Sequence, residues 1–388
     1  MKKLIKTFGL IAIAAVIGFM AACNDSFKDN NGQNGKENNA DNNNSGSNNE
    51  NENDNKSGTY SIVAYSTDGI KWTKVKDNKF KNEIVTEIAY GNGTWLAATT
   101  GLKGSSMAYS TDGVTWNAVS DDLFESGNDR FSIYDIAWGN GKFVIVGYQG
   151  RIAYSTNCIN WTEVTDTTFG ISNKDGITSV KWGGDKFIAI GTKNNRTNYA
   201  YSTDGVTWTA GKSVIPNGID TIIWGNGIWI ALHLGTGTLE ESYYSIDGGD
   251  TWISSPYKID PLNVPVFISQ IDDITYGNDK FVAAGKKYYG NFRYKPTIFY
   301  SPDGKDWIAA EDSISAFSNS KSYYITWGNN KFVALCSDGK IAHSPDGVIW
   351  TVENNSDFGN GDDIKDLAWG GGKFIAVGYN LTYYDFNQ

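Results

Sequence analysis

Cysteine and histidine are almost absent. Among 388 residues there are three Cys and two His, too few and too scattered for a Cys/His zinc site or a disulfide framework. Arginine is equally scarce: Arg130, Arg151, Arg196 and Arg293 are the whole set. Charge leans acidic, with 33 Lys+Arg against 43 Asp+Glu and a net charge of −10. A chain of this kind lacks the cationic surface that displaces counterions from phosphates, so nucleic acid is excluded as a partner. No apolar run is long enough to cross a bilayer as a helix: the longest, from about Phe8 to Met20, falls short of the roughly 20 residues needed. Helical periodicity is missing after residue 23, and Pro occurs only 7 times. What the chain has instead is 14 Trp, 22 Tyr, 18 Phe and 44 Gly.

The N-terminus reads as an address. Lys2, Lys3 and Lys6 precede the apolar run, and Ala21 and Ala22 precede Cys23, the charged, apolar, small-residue order of a secretory signal. Met20-Ala21-Ala22-Cys23 resembles the lipobox of bacterial lipoproteins. That resemblance implies cleavage before Cys23, which becomes the lipidated N-terminus, hence export and a lipid anchor on a bacterial membrane, at the cell surface or in the periplasm. An ordinary cleaved signal is the alternative. Cleavage removes three lysines and takes the charge from −10 to −13. Residues 24–57 hold 14 Asn in 34 positions, with too little apolar surface to offset ordering entropy, and are expected to be a disordered tether. Asp41, Asn43, Ser45, Gly46 and Glu52 match the spacing of a calcium loop, but no amphipathic helix flanks them, and an Asn-rich tract yields such matches by chance.

From residue 58 onward two patterns alternate. The first places an aromatic before a Gly/Asn turn and an apolar strand, as in Trp138-Gly139-Asn140-Gly141-Lys142-Phe143. It starts at Tyr90, Trp138, Trp182, Trp224, Tyr276, Trp327 and Trp369. The second is Tyr-Ser-Thr-Asp-Gly-x-x-Trp, complete at 65–72, 109–116 and 201–208 and altered in four further copies. The Trp residues that close it lie 44, 45, 47, 44, 55 and 43 positions apart, the near-regular spacing of a repeat architecture. Within one unit, Asp135-Ile136-Ala137-Trp138, residues 142–147, 151–155 and 161–164 read as four short strands with hairpin turns. Four-stranded units at this period predict an all-β, seven-bladed propeller over residues 58–388. The chain enters on the outer half of a unit and leaves on the inner half, so one shared blade should close the ring.

The second pattern resembles the Asp-box, or BNR, repeat of sialidases and related secreted propellers. Ser245-Ile246-Asp247-Gly248-Gly249-Asp250-Thr251-Trp252 carries Ser-x-Asp-x-Gly-x-Thr-Trp at every defined position; most other copies are one residue shorter. The motif is tied to no single activity. Its Asp residues here (Asp68, Asp112, Asp204, Asp247, Asp303 and Asp346) are expected to be structural, accepting turn N–H groups above a packed Trp. All fourteen Trp belong to the repeat, since seven close these boxes, five lead the first strand, and Trp95 and Trp229 lead the second. None is left over as a ligand platform.

His343, His233, Cys336 and Cys158 all stand at repeat positions, and no His/Cys cluster is visible among them. Gly211-Lys212-Ser213 has the look of a phosphate loop without its spacing. No cofactor and no metal are expected. The Gly/Asn turns and Asp-boxes should share one face, which leaves the variable connections, and recognition, to the other. The fifth copy is the most elaborated, with long loops at 254–272 and 286–296. The latter gathers Lys286, Lys287, Tyr288, Tyr289, Phe292, Arg293, Tyr294 and Lys295; aromatics beside cations suit sugar rings or an acidic partner. Arg130, Arg151 and Arg196 map to connections or their edges. Three residues before the first-strand aromatic stand Glu87, Asp135, Asp273 and Asp366, which should ring the mouth of the central channel, as a hydrated rim or a cation site.

Three function classes follow: a monomeric binding module at a membrane surface, recognising glycan or protein; a sialidase-like glycoside hydrolase; and a scaffold for assembling a membrane complex. The family resemblance implies, for a hydrolase, an Arg triad, a Tyr nucleophile with its Glu, and an acid/base Asp. The four Arg do not sit in the family's motifs, no Tyr/Glu/Asp set carries over, and sialidases have six blades.

Overall fold

The computed structural model describes residues 59–381 apart from 81–82, 101–105, 120–131, 166–168, 170–175, 194–195, 214, 216–217, 234, 237–240, 257–266, 289–293, 311–313, 315–316, 318–321, 354–356 and 360–361. Seven antiparallel sheets form a seven-bladed β-propeller. The innermost strands, one per blade, are Val85–Gly91, Ile133–Gly139, Gly176–Gly183, Thr221–Gly225, Phe267–Gly277, Tyr323–Gly328 and Asp362–Gly370. Six blades are continuous in sequence. In the seventh the order outward is Asp362–Gly370, Lys373–Leu381, Thr59–Ser66 and Thr73–Lys74, with Val63 opposite Val377 and Tyr65 opposite Ile375. The two ends of the propeller chain therefore pair as neighbouring strands and seal the ring.

Second strands such as Lys142–Gly147 read as unbroken apolar runs, and every residue after the first is buried. A strand packed on both faces requires this, whereas alternation marks a half-wet sheet. Among the described residues the hydrophobic clusters lie between blades, not within them: Val63, Ile375 and Val377 of the shared blade, for example, pack with Ile88, Trp95 and Trp116 of the first.

Glycine sets how closely the innermost strands approach. A Cβ on Gly91, the last residue of its strand, would lie 2.1 Å from Trp138 of the next blade. The same contact recurs at Gly139 with Trp182, Gly183 with Trp224, Gly225 with Tyr276, Gly277 with Trp327 and Gly328 with Trp369, and returns to the start at Gly370 with Tyr90. Each leading aromatic thus lies on the glycine of the blade before it and against a ring of its own second strand, as Trp138 lies 4.6 Å from Phe143 between centroids.

The fifth blade departs from the pattern. A two-residue strand, Gly235–Thr236, adds to its inner edge opposite Ile271 and Gln270. Its second and third strands, Lys280–Tyr288 and Tyr294–Ser301, stay paired out to Tyr288 opposite Tyr294. The loop expected over 286–296 is therefore mostly an extended hairpin, because Lys286, Lys287, Lys295 and Pro296 continue the ladder.

Candidate functional site

The channel carboxylates are built into the ring. Each innermost strand that carries one has a β-bulge just before it, at Val85/Glu87, Ile133/Asp135, Ile271/Asp273 and Ile364/Asp366. A bulge and a sheet edge both leave backbone N–H groups without ladder partners. Asp366 answers two of them: Oδ1 accepts the N–H of Leu367 at 2.7 Å, and Oδ2 accepts that of Ile88, in the next blade, at 2.8 Å. Asp273 does the same with Ile274 (2.7 Å) and Ile325 (2.8 Å). Asp135 binds Ile136 and Val180, both at 2.8 Å, together with the Ser179 hydroxyl at 3.1 Å. In all three cases the two N–H groups occupy equivalent positions in adjoining blades. These bonds staple one blade to the next, a role for the three carboxylates that the sequence reading of a hydrated rim or cation site did not include.

Lys181 reaches the same region and places its Nζ 2.6 Å from Asp135 Oδ2. Burial works against its charge, but Asp135, then Glu87 and Asp366, hold its pKa above the ordinary lysine value. Burial pushes Asp273 up to about 7 and Asp366 up to about 6, against the pull of the N–H groups they accept. Glu87, one methylene longer, is raised by burial and by the charges of Asp366 and Asp135. Tyr324 stands at the equivalent position of the sixth blade, and burial, reinforced by Asp363 and Asp272, keeps its phenol neutral.

The Ser/Asp turns and the Gly/Asn turns do share one face. Asp112 Oδ1 accepts the N–H groups of Val114 (2.8 Å) and Thr115 (2.7 Å), while Ser110 Oγ accepts that of Gly113 at 2.8 Å. These bonds, that of Thr115 first, hold the Asp112 carboxyl down at about 2. Asp68, Asp204, Asp303 and Asp346 accept the same two turn N–H groups, and Asp247 accepts both the N–H and the hydroxyl of Thr251. A further device was not foreseen from sequence. Asn140, Asn226, Asn278 and Asn329 donate from their amides to the Ser/Asp turn of the next blade, at the carbonyls of Thr203, Pro302, Pro345 and Thr67. The only signal available was Asn recurring at one turn position, where φ is positive and Asn is tolerated.

The ligand residues expected from sequence are scattered. Arg151 is buried and held by a bidentate ion pair, its Nε 2.6 Å from Glu163 Oε1 and its Nη2 2.9 Å from Oε2, so it braces the outer strands of its own blade. Lys287 is buried, and Lys286 lies over the Tyr323 ring at 5.7 Å. Tyr294 is 52% exposed beside the exposed Lys295. Tyr288 ends its strand. Arg196 is exposed and lines a cavity of about 290 Å³ with Phe169, Asn198, Tyr199, Lys212 and Ser213. Cys23, Arg130, Tyr289, Phe292 and Arg293 lie outside the described residues.

Known structures share this fold at low identity. YCF48 from Cyanidioschyzon merolae superposes with a TM-score of 0.54 at 12% identity, over 76% of this chain and 93% of that one. The GH74 xyloglucanase from Xanthomonas campestris gives 0.53 at 13%, over 78% of this chain and 53% of the enzyme. The WD40 propeller domain of Doa1 gives 0.50 at 9%, over 78% and 94%. No protein-family model and no curated protein matches the sequence.

Proposed function

We propose that the chain is an exported binding module, anchored to a bacterial membrane through acylated Cys23, that recognises a glycan or protein partner on the variable-loop face of its propeller. The observation that carries this reading is the fifth-blade hairpin. Its strands stay paired to Tyr288 and Tyr294, and Tyr294, half exposed next to Lys295, offers an aromatic face and a cation on a rigid support. That pairing suits a sugar ring or an acidic protein segment. The Ser/Asp turns support placing the chain with the Asp-box propellers.

The experiment is an array of glycans and cell-surface proteins probed with the full chain and with a Tyr294→Ala/Lys295→Ala variant. Signal from the first and its loss in the second is expected; equal signal from both removes the hairpin as the site. For the anchor, Cys23→Ala is expected to move the protein out of the membrane fraction and abolish incorporation of labelled fatty acid.

A further inference from the structure

The tripeptide Gly211-Lys212-Ser213 does not form a phosphate loop, yet it lines the cavity described above on the third blade, away from the fifth-blade hairpin. The cavity is a built pocket. Its apolar floor consists of Phe169 and Ile215, both 1% exposed. One wall is the Tyr199 ring, which lies against the backbone of Gly211 so closely that a Cβ there would stand 2.0 Å from the ring. The ring is pinned at its far end: the Tyr199 hydroxyl accepts the N–H of Ser213 at 3.2 Å and shares a hydrogen bond with its Oγ at 3.1 Å. Any larger residue at 211 would drive this wall out of place.

Around that frame stand an exposed guanidinium, Arg196, and the ammonium of Lys212, with Asn198 and Ser213 as neutral hydrogen-bonding groups. Lys212 also faces Asp250, at 3.1 Å, so one cation there is partly neutralised and Arg196 carries the charge contact. The volume, about 290 Å³, lies at the small end of ligand sites. A planar guanidinium fork matches a carboxylate or a phosphate group, and Asn198, Lys212 and Ser213 on the same lining suit hydroxyl groups.

We infer that this cavity binds a small acidic, hydroxyl-bearing ligand of about monosaccharide size, with Arg196 holding its anionic group. Carboxylate and phosphate are the two sources of that group. The test titrates the full chain with glucuronate, glucose 6-phosphate and glucose by calorimetry, alongside Arg196→Ala and Tyr294→Ala variants checked for native circular dichroism. Saturable binding of at least one acid is expected, weakened about tenfold or more by Arg196→Ala, unchanged by Tyr294→Ala, and about tenfold or more weaker for glucose. A preference for glucuronate or for glucose 6-phosphate identifies the source. No binding of either acid up to about 10 mM, equal affinity for glucose, or unchanged affinity in Arg196→Ala overturns the inference. None of these results touches the hairpin, whose own array test stands separately.

Discussion

Gly370 and Tyr90 meet across the join of the ring. Gly370 ends the innermost strand of the shared blade, Tyr90 leads the turn of the first, and a Cβ on the glycine would lie 2.1 Å from the tyrosine ring. Four residues earlier, Asp366 accepts the N–H of Ile88, two residues before Tyr90. The contact that closes the propeller is thus the same one that joins its consecutive blades.

Gly370→Ala is expected to destabilise the fold by about 1–3 kcal/mol through overpacking, lowering the denaturant midpoint without changing the slope. Gly359→Ala provides a control, because among the described residues the nearest atom a Cβ would meet there is Asp362 Oδ2 at 3.9 Å. Its midpoint should stay close to that of the unmodified chain.

Stability should rise on mild acidification. Asp273 is held near 7, and Asp366 and Asp272 near 6, by burial, all above the ordinary carboxylate value. The folded chain therefore binds more protons than the unfolded chain between about pH 4 and 7, and unfolding free energy falls as pH rises through that window. Below it the sign reverses, because Asp112 and Asp247 are held near 2 in the Ser/Asp turns and their contribution is lost as they protonate. A melting temperature higher near pH 5 than near pH 8, dropping again toward pH 3, is the expected curve. Asp273→Asn should flatten its upper limb.

Much of this was legible in the sequence, and the failures have a common cause. Seven copies, closing Trp residues about 46 positions apart, and the split phase of the two termini were enough to predict the blade count and the shared blade, because repeat spacing survives without coordinates. The position of Glu87, Asp135, Asp273 and Asp366 was also readable. The role of the three Asp was not, since it depends on a bulge at each site and on the N–H of a residue in the adjoining blade. The pairing of Arg151 with Glu163 is invisible in the sequence, because Glu163 sits on the next strand and becomes a neighbour only once the register is known. The fifth-blade insertion looked like a loop because Lys286, Lys287, Lys295 and Pro296 carry no strand pattern; the ladder simply continues through them.

Arg151 and Arg196 should separate cleanly under mutation. Arg151→Ala breaks a bidentate pair around a buried guanidinium and is expected to cost about 1–3 kcal/mol. Arg196→Ala, on the exposed edge, should change stability by less than about 0.5 kcal/mol. Chemical denaturation of both variants checks this.

Cys158 occupies the Gly position of its turn, with φ at 62° and its side chain fully buried. Burial pushes its thiol up to about 12, so little thiolate exists at neutral pH. Native protein at pH 8 should leave Cys158 unlabelled by iodoacetamide over hours, and denatured protein should label it within minutes.

Hydrogen exchange at the join tests the stapled ring most directly. With Asp366 intact, peptides covering residues 85–91 should exchange only through global unfolding. In Asp366→Ala, which leaves the N–H of Ile88 without its acceptor, exchange there should speed up by about tenfold or more, while peptides covering 176–183, stapled by Asp135, keep their protection. Unchanged exchange over 85–91 in the variant, or equal acceleration in both segments, would contradict a propeller held shut blade by blade.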